Sequence, residues 1–402
     1  MIRMSVLVSL ALAGCLSLSN GDPTSESLEL DRAMSEFSLR LYKELALQKS
    51  NAIYSPASIY LALSMAYLGA RGSTAEEMRT VLQIRNVTNI HELHRKWLEY
   101  ITTRNDSTLL VCNSVWSNPN VIVHQEYKDE LISRYYADVE RLNFSSPDGP
   151  EKPINDWVSN RTADNIREII PKGLLREKDT ILVLVNTIYF NGTWENQFSE
   201  EATVKGMFHR SDNTGVDADF MHQVGLFAYK EEAYMGADLV RLPFKGGDIS
   251  FYILLPKSVS GLVKIEKGLS SDSGVLDSLF DGMPMEDLLV KMPKFRLEAS
   301  MKLNDPLIKL GMQKAFSVEA DFSGVSDGLV RISQVCQKAV IEVMESGTFA
   351  GAATQILEQE LILPPFVDVS RPFMFFLRDD RNKRILFQGK LTDPSVTKIN
   401  IE

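Results

Sequence analysis

Cysteine is scarce in this chain, with three residues among 402, at Cys15, Cys112 and Cys336. Cys112 and Cys336 lie within apolar, strand-like runs, which favours two buried free thiols over a disulfide. The fold therefore does not depend on cross-links. The sequence also contains no CxxC zinc pair, no P-loop and no dinucleotide fingerprint, so we expect neither a bound metal nor a cofactor.

An excess of positive charge is absent as well. Lysine and arginine number 43 against 53 aspartates and glutamates, and the net charge of −10 disfavours general nucleic-acid binding. The apolar run from Val6 to Leu18 has about 13 residues, fewer than the roughly 20 that a membrane-spanning helix needs. The run is therefore too short to span a membrane. Because no Pro/Ser linker, charge block or internal repeat divides the chain, we also expect a single domain.

The N-terminus has the pattern of a secretory signal. Arg3 precedes the apolar run, and the small residues Ser19 and Gly21 follow it. Leu12 to Cys15 also resembles a bacterial lipobox, but the apolar run continues past Cys15, which favours the signal peptide. We predict a signal peptide over residues 1–21, a mature domain over 22–402, and an extracellular protein.

Five Asn-x-Ser/Thr sequons point to the same secretory route. They predict N-glycosylation at Asn86, Asn105, Asn143, Asn160 and Asn191.

The patterning predicts an α+β fold, with helices dominating the first half and strands the second. Apolar residues at helical spacing mark a first helix from Leu30 to Leu45, and Ser55 with Pro56 forms an N-cap and N1 pair for the next. The nearly unbroken apolar run 181–190 predicts a central strand covered on both faces. Further strands are predicted at 250–255, 373–377 and 384–389.

Two motif-like segments have the wrong context for catalysis. Gly324 to Gly328 fits G-x-S-x-G, but polar sequence precedes it and strand-like sequence follows, so we interpret it as a chance match. His91 to His94 is one residue short of the H-E-x-x-H zinc pattern. Together with Arg95, Lys96 and Trp97, it is predicted to form a solvated helix face.

The segment 345–366 is the most informative part of the sequence. It follows a strand-like run, Lys338 to Met344, and it begins with a tract of Gly, Ala and Thr. In an extended chain alternate side chains share a face. The small residues Thr348, Ala350, Ala352 and Thr354 would then lie on one face, with Phe349 on the other. Such a segment could enter the middle of a sheet and bury only small groups.

This tract resembles the hinge of the serpin reactive loop, and the resemblance extends over some 340 residues. The matching motifs occur in the family's order and spacing, at 51–59, 67–78, 185–194, 292–295, 320–324 and 371–373. The resemblance implies one serpin domain with a large central sheet, further sheets and an exposed reactive loop at about 345–366. It implies a monomeric protease inhibitor, not an enzyme, that forms a covalent complex with a serine protease. The implied hinge residues are Glu345, Gly347, Thr348, Ala350, Ala352, Ala353 and Thr354.

The family's spacing also locates the reactive bond. In the family the cleaved residue lies sixteen positions after the residue matching Glu345 and eleven before the one matching Pro372. Both spacings give Leu361. The resemblance therefore implies cleavage between Leu361 and Ile362. A leucine suits a hydrophobic S1 pocket, so chymotrypsin-like or elastase-like proteases are the expected targets.

The resemblance implies two further clusters in the main sheet. In the breach at the top of the sheet, Lys294 is expected to pair with Glu345 near Trp194. In the shutter region, Gln337 stands where inhibitory members usually have a histidine, near the positions of Ser55, Ser58 and Asn186.

Departures from the family pattern leave other functions open. Glu358 shares the inward parity of Thr348, so full insertion would pull a carboxylate toward the sheet. A non-inhibitory serpin that acts as a binding or carrier protein is the main alternative, and cross-class inhibition of cysteine proteases is another. Some members bind heparin near the segment that contains His91. Positive charge is sparse there and the Asn86 sequon is close, so we do not expect heparin binding.

Overall fold

A computed structural model describes residues 24–46, 50–104, 107–271, 274–345 and 364–401. The helices within these residues are α1 Ser25–Leu45, α2 Pro56–Gly69, α3 Gly72–Val81, α4 Ile90–Thr102, α5 Gln125–Tyr135, α6 Glu151–Arg161, α7 Leu262–Ser271, α8 Val275–Leu279 and α9 Asn304–Lys309. The strands are β1 Ala52–Tyr54, β2 Ser107–Ser117, β3 Asp138–Arg141, β4 Leu182–Gly192, β5 Val204–His209, β6 Gly215–Glu232, β7 Ala237–Pro243, β8 Ile249–Pro256, β9 Met285–Pro293, β10 Phe295–Lys302, β11 Ile332–Val343, β12 Phe366–Asp368, β13 Phe373–Asp379, β14 Arg384–Leu391 and β15 Lys398–Ile401.

Within the described residues the strands form two sheets. A six-stranded sheet has the order β15-β10-β11-β4-β2-β3, and a nine-stranded sheet has the order β1-β14-β13-β8-β7-β6-β9-β12, with β5 paired to β6. The predicted α+β class is confirmed. No helix among the described residues combines the length and the apolar character needed to cross a bilayer.

The predicted first helices are confirmed, and both are formed for local reasons. The apolar positions of α1 from Leu30 to Leu45 are buried, as their helical spacing requires. Ser55 caps α2, since its side chain accepts a hydrogen bond from Ser58 N, and Pro56 occupies the first turn. Helix α2 is buried on nearly every side.

Strand β4 lies at the centre of the six-stranded sheet and is buried on both faces. On one face it contacts α2. On the other, Val183, Val185 and Tyr189 belong to a core cluster that includes Ile154 and Val158 of α6. Coverage on both faces explains the unbroken apolar sequence that predicted this strand.

The predicted solvated face of α4 is wrong for two residues. His94 and Trp97 are buried, at 0% and 3% exposure. His94 Nε2 lies 3.2 Å from Ser64 Oγ of α2, and Trp97 Nε1 donates a 2.9 Å hydrogen bond to Asp379 of β13. These partners are distant in sequence, so polarity within α4 gave no sign of them.

The two cysteines in the described residues are both free, but only one matches the predicted burial. Cys336 is buried in β11, whereas Cys112 of β2 is partly exposed. Burial raises the pKa of both thiols, to about 12 for Cys336 and about 11 for Cys112. Neither thiol is therefore a reactive nucleophile near neutral pH.

The structure agrees that the G-x-S-x-G segment is a chance match. Residues 324–328 lie in irregular structure before β11, with neither a strand before them nor a helix after them. In the described ranges, no three or more His, Cys, Asp and Glu side chains are grouped in a way that could hold a metal ion.

Candidate functional site

The predicted breach and shutter residues lie along the pairing of β4 with β11, which we call the central seam. These two strands are direct neighbours and run parallel, in register from Ile332 opposite Leu182 to Ile341 opposite Phe190, with one irregularity after Ile332. Strand β4 lies near the middle of the sequence, whereas β11 ends at Val343, just before the predicted hinge. Any strand added between β4 and β11 would have to open it.

The structure brings together all four predicted shutter residues at the middle of the seam. Gln337 of β11 lies opposite Asn186 of β4, and its Nε2 donates to Asn186 Oδ1 at 2.6 Å. The same amide group donates to Ser55 O at 3.0 Å and accepts from Ser55 N at 2.9 Å. Asn186 Nδ2 in turn donates to Ser58 Oγ. One buried network thus joins both seam strands to the N-terminus of α2.

Asn113 of β2 completes this shutter network and was missed by the sequence analysis. It lies opposite Asn186 in the sheet and accepts a 2.6 Å hydrogen bond from Asn186 Nδ2. Its side chain is also buried, at 4% exposure. A polar residue in the strand-like run 107–117 was the available signal, but the sheet register was needed to place it.

At the upper end of the seam, Glu345 is held by two side chains. Lys294 Nζ lies 2.8 Å from Glu345 Oε2, and Thr203 Oγ1 donates a 2.6 Å hydrogen bond to Glu345 Oε1. Thr203 was not singled out by the sequence analysis. Burial raises the pKa of Glu345, but the hydrogen bonds from Lys294 and Thr203 outweigh that effect and hold the pKa below its ordinary value. The ionised carboxylate is therefore the stable form at neutral pH.

Trp194 closes the same end of the seam from the side of β4. Its indole Nε1 donates a 2.8 Å hydrogen bond to the carbonyl of Met344, the residue before Glu345. The ring stacks on Phe244 at 4.2 Å between centroids and contacts Phe198 edge-on at 5.8 Å. An aromatic cluster and an ion pair thus hold the chain where it leaves β11.

The remaining predicted loop residues lie outside the described residues. They are Gly347, Thr348, Phe349, Ala350, Ala352, Ala353, Thr354, Glu358, Leu361 and Ile362.

The sequons differ in accessibility. Asn86, Asn143 and Asn160 are exposed, whereas Asn191 is half-buried near the end of β4. Asn105 lies outside the described residues. Glycosylation remains a prediction, and Asn191 is the least accessible of the four described positions.

The comparisons with known proteins agree with the fold. A family model described as serpin (serine protease inhibitor) matches residues 32–394. The chain belongs to the serpin family. Most members of this family inhibit serine proteases and are not catalysts, although some are non-inhibitory.

Relatives of this serpin cover nearly its whole length. Human Serpin B4 is 34% identical over 389 residues, covering 91% of this chain and 99% of the relative. Human antithrombin-III is 33% identical over 386 residues, covering 92% of this chain and 82% of the relative. The crystal structure of Serpin48 from the insect Tenebrio molitor has a TM-score of 0.81 and 32% identity, covering 92% of this chain and 99% of that one.

Glu345→Lys is expected to make this serpin polymerise on mild heating. The change would place two ammonium groups together at the top of the seam, where Glu345 is 5% exposed. We expect the free energy of unfolding to fall by about 2 kcal/mol. This is less than for a fully buried pair, because the Lys294 side chain keeps 33% of its surface in water. Size-exclusion chromatography after incubation a few degrees below the parent's midpoint measures the effect.

Glu99→Lys is the matched control, because it makes the same charge change at the exposed Arg95–Glu99 pair of α4. It should stay monomeric under the same conditions. If Glu345→Lys also stays monomeric, the ion pair with Lys294 does not guard the seam.

Proposed function

We propose that this serpin is a secreted inhibitor of chymotrypsin-like or elastase-like serine proteases. It would present the Leu361–Ile362 bond as a substrate and trap the protease by inserting the cleaved loop between β4 and β11.

The closed, parallel central seam is the observation that carries this proposal. A segment that leaves the end of β11 and folds back along it runs antiparallel to β11. Because β4 is parallel to β11, the same segment also runs antiparallel to β4. One inserted strand would therefore replace a parallel pairing with two antiparallel pairings, which are slightly more stable per residue.

Insertion also requires the shutter network to break. Neighbouring strands lie about 4.8 Å apart, so a strand between β4 and β11 would separate them to about 9.6 Å. The 2.6 Å hydrogen bond from Gln337 to Asn186 cannot survive that separation. The network thus acts as a barrier that holds the uncleaved protein in its native arrangement.

The covalent step needs only the protease's own catalytic groups. The protease serine Oγ attacks the carbonyl carbon of Leu361, and the peptide bond to Ile362 breaks. The serine proton passes through the protease histidine to the new amino group of Ile362. An ester then joins the protease serine to Leu361, and insertion must occur before water hydrolyses that ester.

The residues around the bond support the target class. Leu361 has no cation for the aspartate of a trypsin-like S1 pocket, and Glu358 and Glu360 favour proteases with basic subsites.

No heparin dependence is proposed, because Arg95 on α4 is paired with Glu92 and Glu99. The signal pattern at 1–21 and the exposed sequons support secretion.

A protease panel tests the function as a whole. The purified protein is incubated with chymotrypsin, pancreatic elastase, trypsin and papain, and SDS-stable complexes are sought on a denaturing gel. A complex with chymotrypsin or elastase supports the proposal, whereas a complex with papain alone would favour cross-class inhibition. Cleavage without any complex would favour a non-inhibitory serpin, the candidate to which the inward parity of Glu358 points.

Leu361→Arg is expected to shift inhibition from chymotrypsin to trypsin. The guanidinium can pair with the aspartate of a trypsin-like S1 pocket, whereas the leucine fills a hydrophobic one. Inhibition rates with both enzymes measure the shift. Mass spectrometry of the peptide released from the parent's complex should find a fragment that begins at Ile362. A fragment beginning at Leu361 would show cleavage after Glu360 by a Glu-preferring protease and would overturn the assignment.

A further inference from the structure

An exposed apolar patch lies at the β12 edge of the nine-stranded sheet. We call it the edge patch and define it by five side chains, Val224, Leu226, Met285, Leu289 and Phe366. Val224 is 63% exposed, and Leu226, Met285 and Phe366 are each more than half exposed. Leu289 is partly buried.

The sheet register makes four of these residues contiguous, all except Met285. Phe366 of β12 lies opposite Leu289 of β9, and Leu289 lies opposite Val224 of β6. Directly opposed side chains on one face of a sheet are about 5 Å apart, so the three form one apolar row across three strands. Leu226 follows Val224 on the same face, two residues along β6.

The opposite face of these strands is already filled. Phe227 of β6, Leu288 and Val290 of β9, and Val367 of β12 are all buried. The edge patch is therefore a second apolar face of a sheet whose core side is complete, and folding alone does not account for it.

Charged groups surround the edge patch. Lys291 of β9 pairs with Asp368 of β12 at 3.2 Å, one pleat beyond the apolar row. Asp287 lies opposite Leu226 on the same face, between Leu289 and Met285 along β9, so it borders the apolar row there. An apolar centre with a polar rim is the usual composition of a protein–protein interface, and contiguous exposed apolar patches mark such sites.

The position of the edge patch identifies its partner. Phe366 is five residues after Leu361, so the reactive bond can lie no farther than about 18 Å from it along the chain. A serine protease of about 230 residues has a radius of gyration near 17 Å. A protease seated on the Leu361–Ile362 bond therefore brings its surface within reach of Phe366 and the apolar row.

We propose that the edge patch is a docking surface for the target protease, contacting apolar residues beside its active-site cleft. The inference rests on the proposed inhibitory function and adds a second contact to the reactive bond. The patch contributes to the rate of encounter and to the choice of protease. It has no part in the later insertion step, because none of its residues lies in the six-stranded sheet.

The test compares rates of complex formation with chymotrypsin and pancreatic elastase. The double variant Val224→Lys, Leu226→Lys removes the exposed centre of the patch, and Val224→Thr, Leu226→Gln does so without adding charge. We expect both to lower the second-order rate constant about tenfold with the preferred protease, as loss of interface anchors does. The stoichiometry of inhibition and the melting temperature should stay at the parent's values.

Matched controls separate the patch from general surface effects. Ile122→Lys, Leu329→Lys makes the same charge change at residues that are 73% and 90% exposed and outside both sheets. This variant should inhibit at the parent's rate. Val224→Ile, Leu226→Met keeps the apolar surface and should also retain the rate.

The outcomes distinguish this inference from the proposed function. If the parent forms covalent complexes and the neutral double variant is as fast, the docking surface is wrong and the inhibitory function stands. If only the lysine variant is slow, charge repulsion explains the result and the apolar contact is overturned. If the parent forms no complex with either protease, both proposals fail. A parent that elutes as a dimer and a variant that elutes as a monomer would assign the patch to self-association.

Discussion

Thr348→Arg is expected to abolish the SDS-stable protease complex and turn this serpin into a substrate. In an extended strand Thr348 shares its face with Ala350, Ala352 and Thr354, the small side chains that would face the sheet interior. An arginine there would bury an unpaired guanidinium at the start of insertion. A barrier higher by about 3 kcal/mol slows insertion roughly a hundredfold. Hydrolysis of the acyl-enzyme would then finish first.

Denaturing gels and the stoichiometry of inhibition measure this partition. Phe349→Arg is the matched control, since position 349 has the opposite parity and its side chain would remain on the outer face. It should still form the complex. If Thr348→Arg traps protease as well as the parent does, insertion at the seam is not how this protein inhibits.

Cleavage at Leu361 is expected to raise the melting temperature by about 12 °C. Once cut, the loop can pair with β4 on one side and β11 on the other. If about ten backbone hydrogen bonds are gained at roughly 1 kcal/mol each, the stabilisation is about 10 kcal/mol. For a chain of this size 1 kcal/mol shifts the midpoint by about 1.2 °C, which predicts a rise of about 12 °C.

Calorimetry or circular dichroism of intact and cleaved protein checks this difference. Cleaved Thr348→Arg is the informative control, because a loop that cannot enter the sheet should leave its midpoint near that of the intact parent. Equal midpoints for intact and cleaved parent would place this protein among serpins whose loop does not insert.

Local patterns predicted the elements that are stabilised by their own sequence. Helix α1 follows from apolar spacing, and the start of α2 follows from Ser55 and Pro56. Strand β4 follows from a run too apolar to be exposed on either face. In each case the signal lies within about a dozen consecutive residues, where side-chain period and capping act.

Residues whose role depends on distant partners were misjudged or missed. His94 and Trp97 were predicted to be solvated because Arg95 and Lys96 beside them are charged. Both are buried, and their polar atoms contact Ser64 and Asp379. Asn113 joined the shutter network only through the register of β2 with β4. Thr203 holds Glu345 across a sequence separation of 142 residues.

The sequence by itself determined the family and the fold class, and it predicts the small-residue parity of the hinge and a reactive bond at Leu361–Ile362. These depend on motif order, periodicity and counting, all of which are properties of one chain read from end to end. The tertiary structure decided that β4 and β11 pair directly, that Gln337, Asn186 and Asn113 form one network, and that Phe366, Leu289 and Val224 form one apolar row. Strand register sets these contacts, and register depends on how distant segments pack together.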